Sequence, residues 1–431
     1  MKKKVLASLL VAAMTASMVA GCGSTESTDD NNTTPSTEGT ADAEATTEID
    51  YGSGDITIWV AEEVQELTQE LANQFVTDNG FDYTVTVEAV GEGDAAGNMI
   101  TDVEGGADIY GFAQDQIARL VSAGALQQLT GTGYDDTITA SNDAGSVAAA
   151  TVGDVLYAYP MTSDNGYFLY YDSSVVTDPT SLEQIVADCE AAGKNFYFEI
   201  NSGWYQTAFF FATGCDLSYE TDASGAFTGA NVTYASDEGL VALKEICELQ
   251  SSSAFQNGSS LSTATNVGAI VDGTWDSEAA QKAFGDNYAC AKLPSFEGSD
   301  GNTYQLSGFG GFKLLGVKPQ TEGGKMKACL ELAEYLTNED SQLARFEQSG
   351  WGPSNTAAQQ NEDVQANEAL TALAEQLQYT IPQGNYPGDY WTLATSLGDT
   401  VISGKISLDS SDDDLMSTLQ DFQDTCISYA K

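Results

Sequence analysis

Asp55-Ile56-Thr57-Ile58-Trp59-Val60 is a short β-branched run that reads as a strand, and the residues after it decide the fold. Val64, Leu67, Leu71 and Phe75 recur at steps of three and four, which is one face of an amphipathic helix. Tyr83-Thr84-Val85-Thr86-Val87 is a second strand. Ala107-Asp108-Ile109-Tyr110-Gly111-Phe112 is a third, and a helix runs on through Arg119 and Val121 to a stop at Gly124. Strands alternating with helices predict an α/β fold with parallel-rich sheets covered on both faces. The pattern continues outward. Strands are expected at Leu156–Tyr159, Tyr167–Tyr171, Phe196–Ile200, Val267–Val271 and Phe312–Gly316. Helices are expected at Ser181–Ala192, Tyr205–Thr213, Asp237–Gln250, Trp275–Phe284, Gly324–Thr337, Asp340–Gln348, Asp363–Gln376, Asp389–Ser403 and Asp412–Tyr429. No repeat of a solenoid period is visible.

Toward the amino end the character changes. Met1-Lys2-Lys3-Lys4 is a positive start, and the apolar stretch Val5 to Ala20 ends in small residues, as in a secretory signal. Val19-Ala20-Gly21-Cys22 resembles the lipobox of bacterial lipoproteins. That resemblance implies cleavage before Cys22, acylation of Cys22 and attachment to the outer face of the cytoplasmic membrane, a stable anchor because each buried CH₂ contributes about 0.8 kcal/mol. Gly23 to about Gly54 is Ser, Thr, Asp, Glu, Asn, Gly and Ala with almost no large apolar residue. Such a segment cannot offset its ordering entropy and reads as a tether reaching roughly 30 Å. The domain division expected is therefore signal 1–21, lipidated Cys and tether 22–54, and a folded remainder of about 375 residues, long enough for two or three domains.

Charge excludes several functions. The chain carries 64 acidic and 15 basic residues, a formal net charge of −49, and no His. Its two arginines are Arg119 and Arg345. Nucleic-acid binding needs clustered Lys and Arg to displace counterions, so no nucleic-acid partner is expected. Ser-His-Asp and Cys-His catalysis and His-ligated metals lack their imidazole, and no metal or cofactor is expected. Most of the acidity reads as solubility and self-repulsion, consistent with a monomer at a crowded cell surface. Beyond Cys22 lie Cys189, Cys215, Cys247, Cys290, Cys329 and Cys426. An even number in a secreted chain permits disulfides, but several fall on apolar helix faces and read as small buried hydrophobes.

Five motifs in order then carry a resemblance. They are Ile56-Thr57-Ile58-Trp59 with its helix, Gly106 to Asp115, Leu156-Tyr157-Ala158-Tyr159-Pro160-Met161 with Tyr170-Tyr171-Asp172, Asp272-Gly273-Thr274-Trp275, and Ile381-Pro382-Gln383 with Tyr390-Trp391. The chain thereby resembles the maltose/maltodextrin-binding proteins, family 1 extracellular solute-binding proteins of ABC importers. The resemblance implies the two-lobed periplasmic-binding-protein-like fold, with lobe one at 55–162 plus 310–350 and lobe two at 163–309 plus 351–431. Hinge strands would cross between the lobes and a ligand would lie in the cleft, closed by bending. It also implies no enzymatic activity and two partners, an oligosaccharide and the permease subunits of the importer.

A pyranose offers flat C–H faces to aromatic rings and a rim of hydroxyls to carboxylates and amides. By resemblance Glu63, with neighbouring Glu62, falls at the first acidic contact; both also suit a helix amino end. Asp115 falls at a second, with Gln116 beside it, or caps a helix. Asp164 falls at a third, on the crossing. Phe112 matches a cleft aromatic or a core residue. Trp204 with Tyr205, Trp275, and Tyr390 with Trp391 match aromatic platforms; the three tryptophans sit at element starts next to Gly, where a core residue is the alternative. Trp59 reads as core, and Trp351 as part of a crossing. The family follows its first acid with Lys where this chain has Val64, its second with Arg where this chain has Gln116, and places a late cleft Arg near Thr395. The carboxylates thus lack basic neighbours in the sequence. Acids with tryptophans and no bases would also suit a cation such as a polyamine, and among so many acids a glycoside-hydrolase pair can always be found by spacing.

Overall fold

In the computed structural model, residues 50–222 and 225–430 are described, so the signal, Cys22 and most of the tether lie outside the described residues. The opening strand Ser53–Val60 feeds helix Glu62–Asn79, which stops at Gly80 with φ 66°. That helix buries Val64, Thr68, Ala72 and Phe75, leaving Leu67 and Leu71 only half-buried. The expected stripe is therefore rotated by about one position at its centre, because small Thr68 and Ala72 let the helix lie close on the sheet.

Strand order in the main sheet is 255–256, 195–197, 267–273, 158–172, 309–317, 109–113, 53–60, 82–89, with 288–291 beside 158–172 and 381–382 beside 309–317. Both ends of the sheet are parallel, as the βα alternation predicts. Its centre is antiparallel: 109–113 against 309–317, 309–317 against 158–172, and 158–172 against 267–273. The parallel-rich expectation fails there for a physical reason: the two long strands run through the molecule in opposite directions and pair with each other on the way.

Strand Ala158–Asp172 replaces the two short strands expected at Leu156–Tyr159 and Tyr167–Tyr171. Its polar middle, Thr162 to Asn165, reads as a break in sequence, yet it is mostly buried. Ser163 N donates to the Gly352 carbonyl at 3.0 Å, and the register with 309–317 shifts on either side of Lys313. The first half of this strand joins one apolar core, which gathers residues from Ile56 to Met161 and from Leu314 to Trp351. The second half joins another, from Tyr167 to Phe309 and from Tyr386 to Cys426. A third core packs Phe168, Tyr170 and Ile270 against Ala369 and Leu373.

Other differences are local. The helix expected at Asp363–Gln376 is two, Glu362–Gln365 and Glu368–Gln376, because the Asn367 side chain accepts from Leu370 N at 3.0 Å and caps a new start. Helix Glu92–Thr101 was not legible: its Gly93 and Gly97 weaken helix propensity. All six described cysteines are free, five buried and Cys290 half-buried, and burial pushes thiols such as Cys189 up to about 12. Among the described residues no helix is long and apolar enough to cross a membrane.

Candidate ligand-binding cleft

Strand ends from both large cores meet at a cavity of about 410 Å³. On one side stand Glu63, Glu92, Gly93, Ala113, Asp115 and Gln116. On the other stand Trp204, Tyr205 and Trp391, with Gln383 near them. Trp275 rises from the end of strand 267–273, and the crossing strands supply the floor through Asn165 and Lys313. Glu63, Asp115, Gln116, Trp204, Tyr205, Trp275 and Trp391 are thus brought together.

The indoles are placed by glycines. A Cβ on Gly273 would lie 2.0 Å from the ring of Trp275, so only Gly allows that ring to fold back over the strand end. A Cβ on Gly203 would lie 2.6 Å from Ala394 Cβ, so Gly203 lets the Trp204 loop seat against helix Gly388–Ile402. Trp204 and Trp275 then face each other with centroids 5.7 Å apart, tilted by 44°. Tyr205 is buried beneath Trp204 and packs on Tyr167 at 4.7 Å. Trp204, Trp275 and Trp391 are each half-buried, presenting part of the ring to the cavity.

Gln383 ties the parts together. Its Oε1 accepts from Trp204 Nε1 and from Asn165 Nδ2, each at 3.3 Å, and its carbonyl accepts from Gln114 Nε2. One residue therefore holds the wall, the floor and the opposite side.

Asp115 lies in the single 3-10 turn Gln114–Gln116 that follows strand Ile109–Ala113, and it is 2% exposed. Burial raises its carboxyl to about 7, opposed by the hydrogen bond from Gln116 and the charge of Arg119. Gln116 Nε2 donates to Asp115 Oδ2, and Arg119 Nη1 donates to Gln116 Oε1 at 2.6 Å. A basic group thus supports this acid one residue removed, through Gln116.

Four expected site residues lie elsewhere. Phe112 is fully buried, packed on Tyr110 at 5.8 Å in the apolar core, because its strand position points away from the cleft. Tyr390 is fully buried, and its hydroxyl donates to the Gly203 carbonyl at 2.9 Å; it supports the Trp204 loop from behind. Asp164 is 1% exposed and does not line the cavity. Its Oδ2 accepts from Thr274 Oγ1 at 2.5 Å and Gly352 N at 2.6 Å, so it knits three chain crossings. Glu62 is exposed outside the cavity, in the first turn of its helix. Trp59 is half-buried in its strand, its Nε1 donating to Glu88 at 2.8 Å.

Four polar residues were missed: Glu92, Asn165, Gln383 and Lys313. Glu92 went with its unrecognised helix; burial pushes its carboxyl up, and Lys313 pulls it down. Lys313 is a lone charge within the apolar strand Phe309–Val317, which was the available signal. It brings to the cavity a basic group that lies 250 residues from Glu63 along the chain.

Residues 70–372 match the family described as bacterial extracellular solute-binding protein. The chain belongs to that family. Its members bind rather than transform their solutes, outside the cytoplasm. The Bacillus subtilis galactooligosaccharide-binding protein is 28% identical over 324 residues, 70% of this chain and 73% of that protein. Maltodextrin-binding protein MdxE of the same organism is 30% identical over 155 residues, 36% of either chain. A solved structure with acarbose is 27% identical, with a TM-score of 0.77, covering 88% of this chain and all of that one. Maltodextrin binding protein MalE1 from L. casei BL23 shares the fold at a TM-score of 0.71 and 22% identity, over 88% of this chain and all of that one. This family member is thus a mixed α/β protein of the two-lobed periplasmic-binding-protein type.

Proposed function

We propose that this solute-binding protein captures oligosaccharides in the cleft, maltodextrins foremost, and delivers them to the permease of an ABC importer. One observation carries the reading: three half-buried indoles converge on a cavity whose other side bears carboxylates and amides. Aromatic faces take the C–H planes of sugar rings, and Glu63, Asp115, Gln116, Glu92 and Asn165 take the hydroxyl rim. In this reading the lobes are 55–162 plus 310–350 and 163–309 plus 351–431. They close by bending at the crossings, so that the permease meets a different face when ligand is bound. A monomer acylated at Cys22 carries the lobes on its acidic tether at the outer face of the membrane.

A second sugar class is favoured by the relative that spans most of this chain, which binds galactooligosaccharide by its name. Calorimetry against maltotriose, a β-galacto-oligosaccharide and spermidine tests all three chemistries. Maltotriose binding on the order of micromolar, about −8 kcal/mol, is the expected result. Galacto-oligosaccharide binding with maltotriose ignored would move the ligand within the class. Spermidine binding alone, steeply weakened by salt, would overturn it.

A further inference from the structure

Lys313 stands out because its surroundings are incomplete. The residue is 5% exposed. Its ammonium lies 3.4 Å from the ring centroid of Trp351 and 5.2 Å from that of Trp275. Rings attract a cation but accept no ordinary hydrogen bond from it, and an ammonium has three donors. No carboxylate lies within ion-pair distance and no hydrogen-bond acceptor meets it among the described residues. Lys313 also lines the cavity, where a ligand atom can reach it. With no protein acceptor, its donors are left to water or to whatever enters the cavity.

We infer that Lys313 is the specificity-determining residue of the cleft, donating from below to a ligand hydroxyl and excluding cationic solutes from a pocket otherwise lined by acids. This rests on the oligosaccharide reading above and goes beyond it by assigning how the site rejects ammonium ligands. Exposed Glu63, with the ionised fraction of Glu92 and Asp115, would alone attract a polyamine. A fixed positive charge on the floor, a few ångström from any bound ammonium, weakens that binding on the order of 100-fold or more. A neutral polyol meets no such repulsion, and its oxygen completes the lysine. The slot between the two indoles holds the ammonium in place, so the donor is oriented before the ligand arrives.

The test uses the mature protein and Lys313→Met, which keeps a flexible stem of similar length between Trp275 and Trp351 and removes the charge. Calorimetric titrations with maltotriose, a β-galacto-oligosaccharide and spermidine are paired with thermal melts without ligand. The variant should bind the preferred sugar about 10- to 100-fold more weakly, the value of a hydrogen bond to a charged group. It should gain spermidine binding that the parent lacks, and the melts establish that both proteins are folded at the titration temperature. A purely structural lysine would lower the melt and leave selectivity unchanged. Lys313→Arg serves as the second variant: it keeps the charge, so it should still reject spermidine. Sugar affinity within twofold of the parent in Lys313→Met, or equal spermidine binding by parent and variant, would overturn the inference alone. A parent that binds neither sugar would overturn the oligosaccharide reading with it.

Discussion

Replacing Asp115 by Asn should make the stability of this protein less dependent on pH, in a direction the structure fixes. The carboxyl is 2% exposed, and burial raises it from the ordinary 3.8 to about 7. Below the ordinary value both the folded and unfolded chains hold the proton, and the group contributes its full stability. Between that value and about 7 the unfolded chain has lost the proton while the folded chain keeps it. Stability therefore falls as pH rises through this window and levels off above it. About three pH units at ~1.4 kcal/mol each set a ceiling of about 4 kcal/mol. A chain of about 380 folded residues has an unfolding entropy of about 0.8 kcal/mol/K, so the effect is about 5 °C in melting temperature. Asn has nearly the shape of the protonated acid and does not titrate. Calorimetric melts of parent and Asp115→Asn from pH 4 to pH 8 would isolate this group, because the other acids cancel in the difference. The variant should match the parent near pH 4 and exceed it by up to about 5 °C near pH 8. A difference that stays constant across the range would refute the argument that the buried carboxyl holds its proton.

Other expectations follow from the same geometry. Trp204→Ala, Trp275→Ala and Trp391→Ala should each weaken oligosaccharide binding by about 1–2 kcal/mol, roughly 5- to 30-fold, and intrinsic fluorescence should shift on titration of the parent; full affinity in all three would remove the platforms. Phe112→Ala should destabilise by about 3–5 kcal/mol in urea melts while the folded fraction binds normally, since its ring fills the core. Gly273→Ala should displace the Trp275 ring, and a lowered affinity with little change in urea midpoint would show it. Mass spectrometry of the mature protein should show an acylated amino-terminal Cys22, and an unmodified terminus there would remove the lipid anchor from the proposal.

How far the site could be read in advance depended on whether its chemistry sat near a recognisable strand end. Asp115 and Trp275 follow strands directly, so their places were visible in the pattern. Trp204 was marked by Gly203 beside it, which the structure explains as room for its loop to seat on Ala394 and Tyr390. Phe112 and Tyr390 share the same neighbourhoods yet turn inward, and nothing in their local sequence separates an inward ring from an outward one. Asp164 is a similar case: its acid was legible, but its partners Thr274 and Gly352 lie 110 and 188 residues away.

The order of strands and helices, the acidic surface and the absence of imidazole were set by local composition and periodicity, which act between residues a few positions apart. Those features alone point to an α/β chain without His chemistry; the binding role came from the resemblance carried by its ordered motifs. The crossing of two antiparallel strands, the direction each aromatic ring faces and the arrival of Lys313 beneath three acids were decided only when distant segments packed. Burial and charge compensation depend on which atoms end within a few ångström of each other, and a linear spacing does not record that distance.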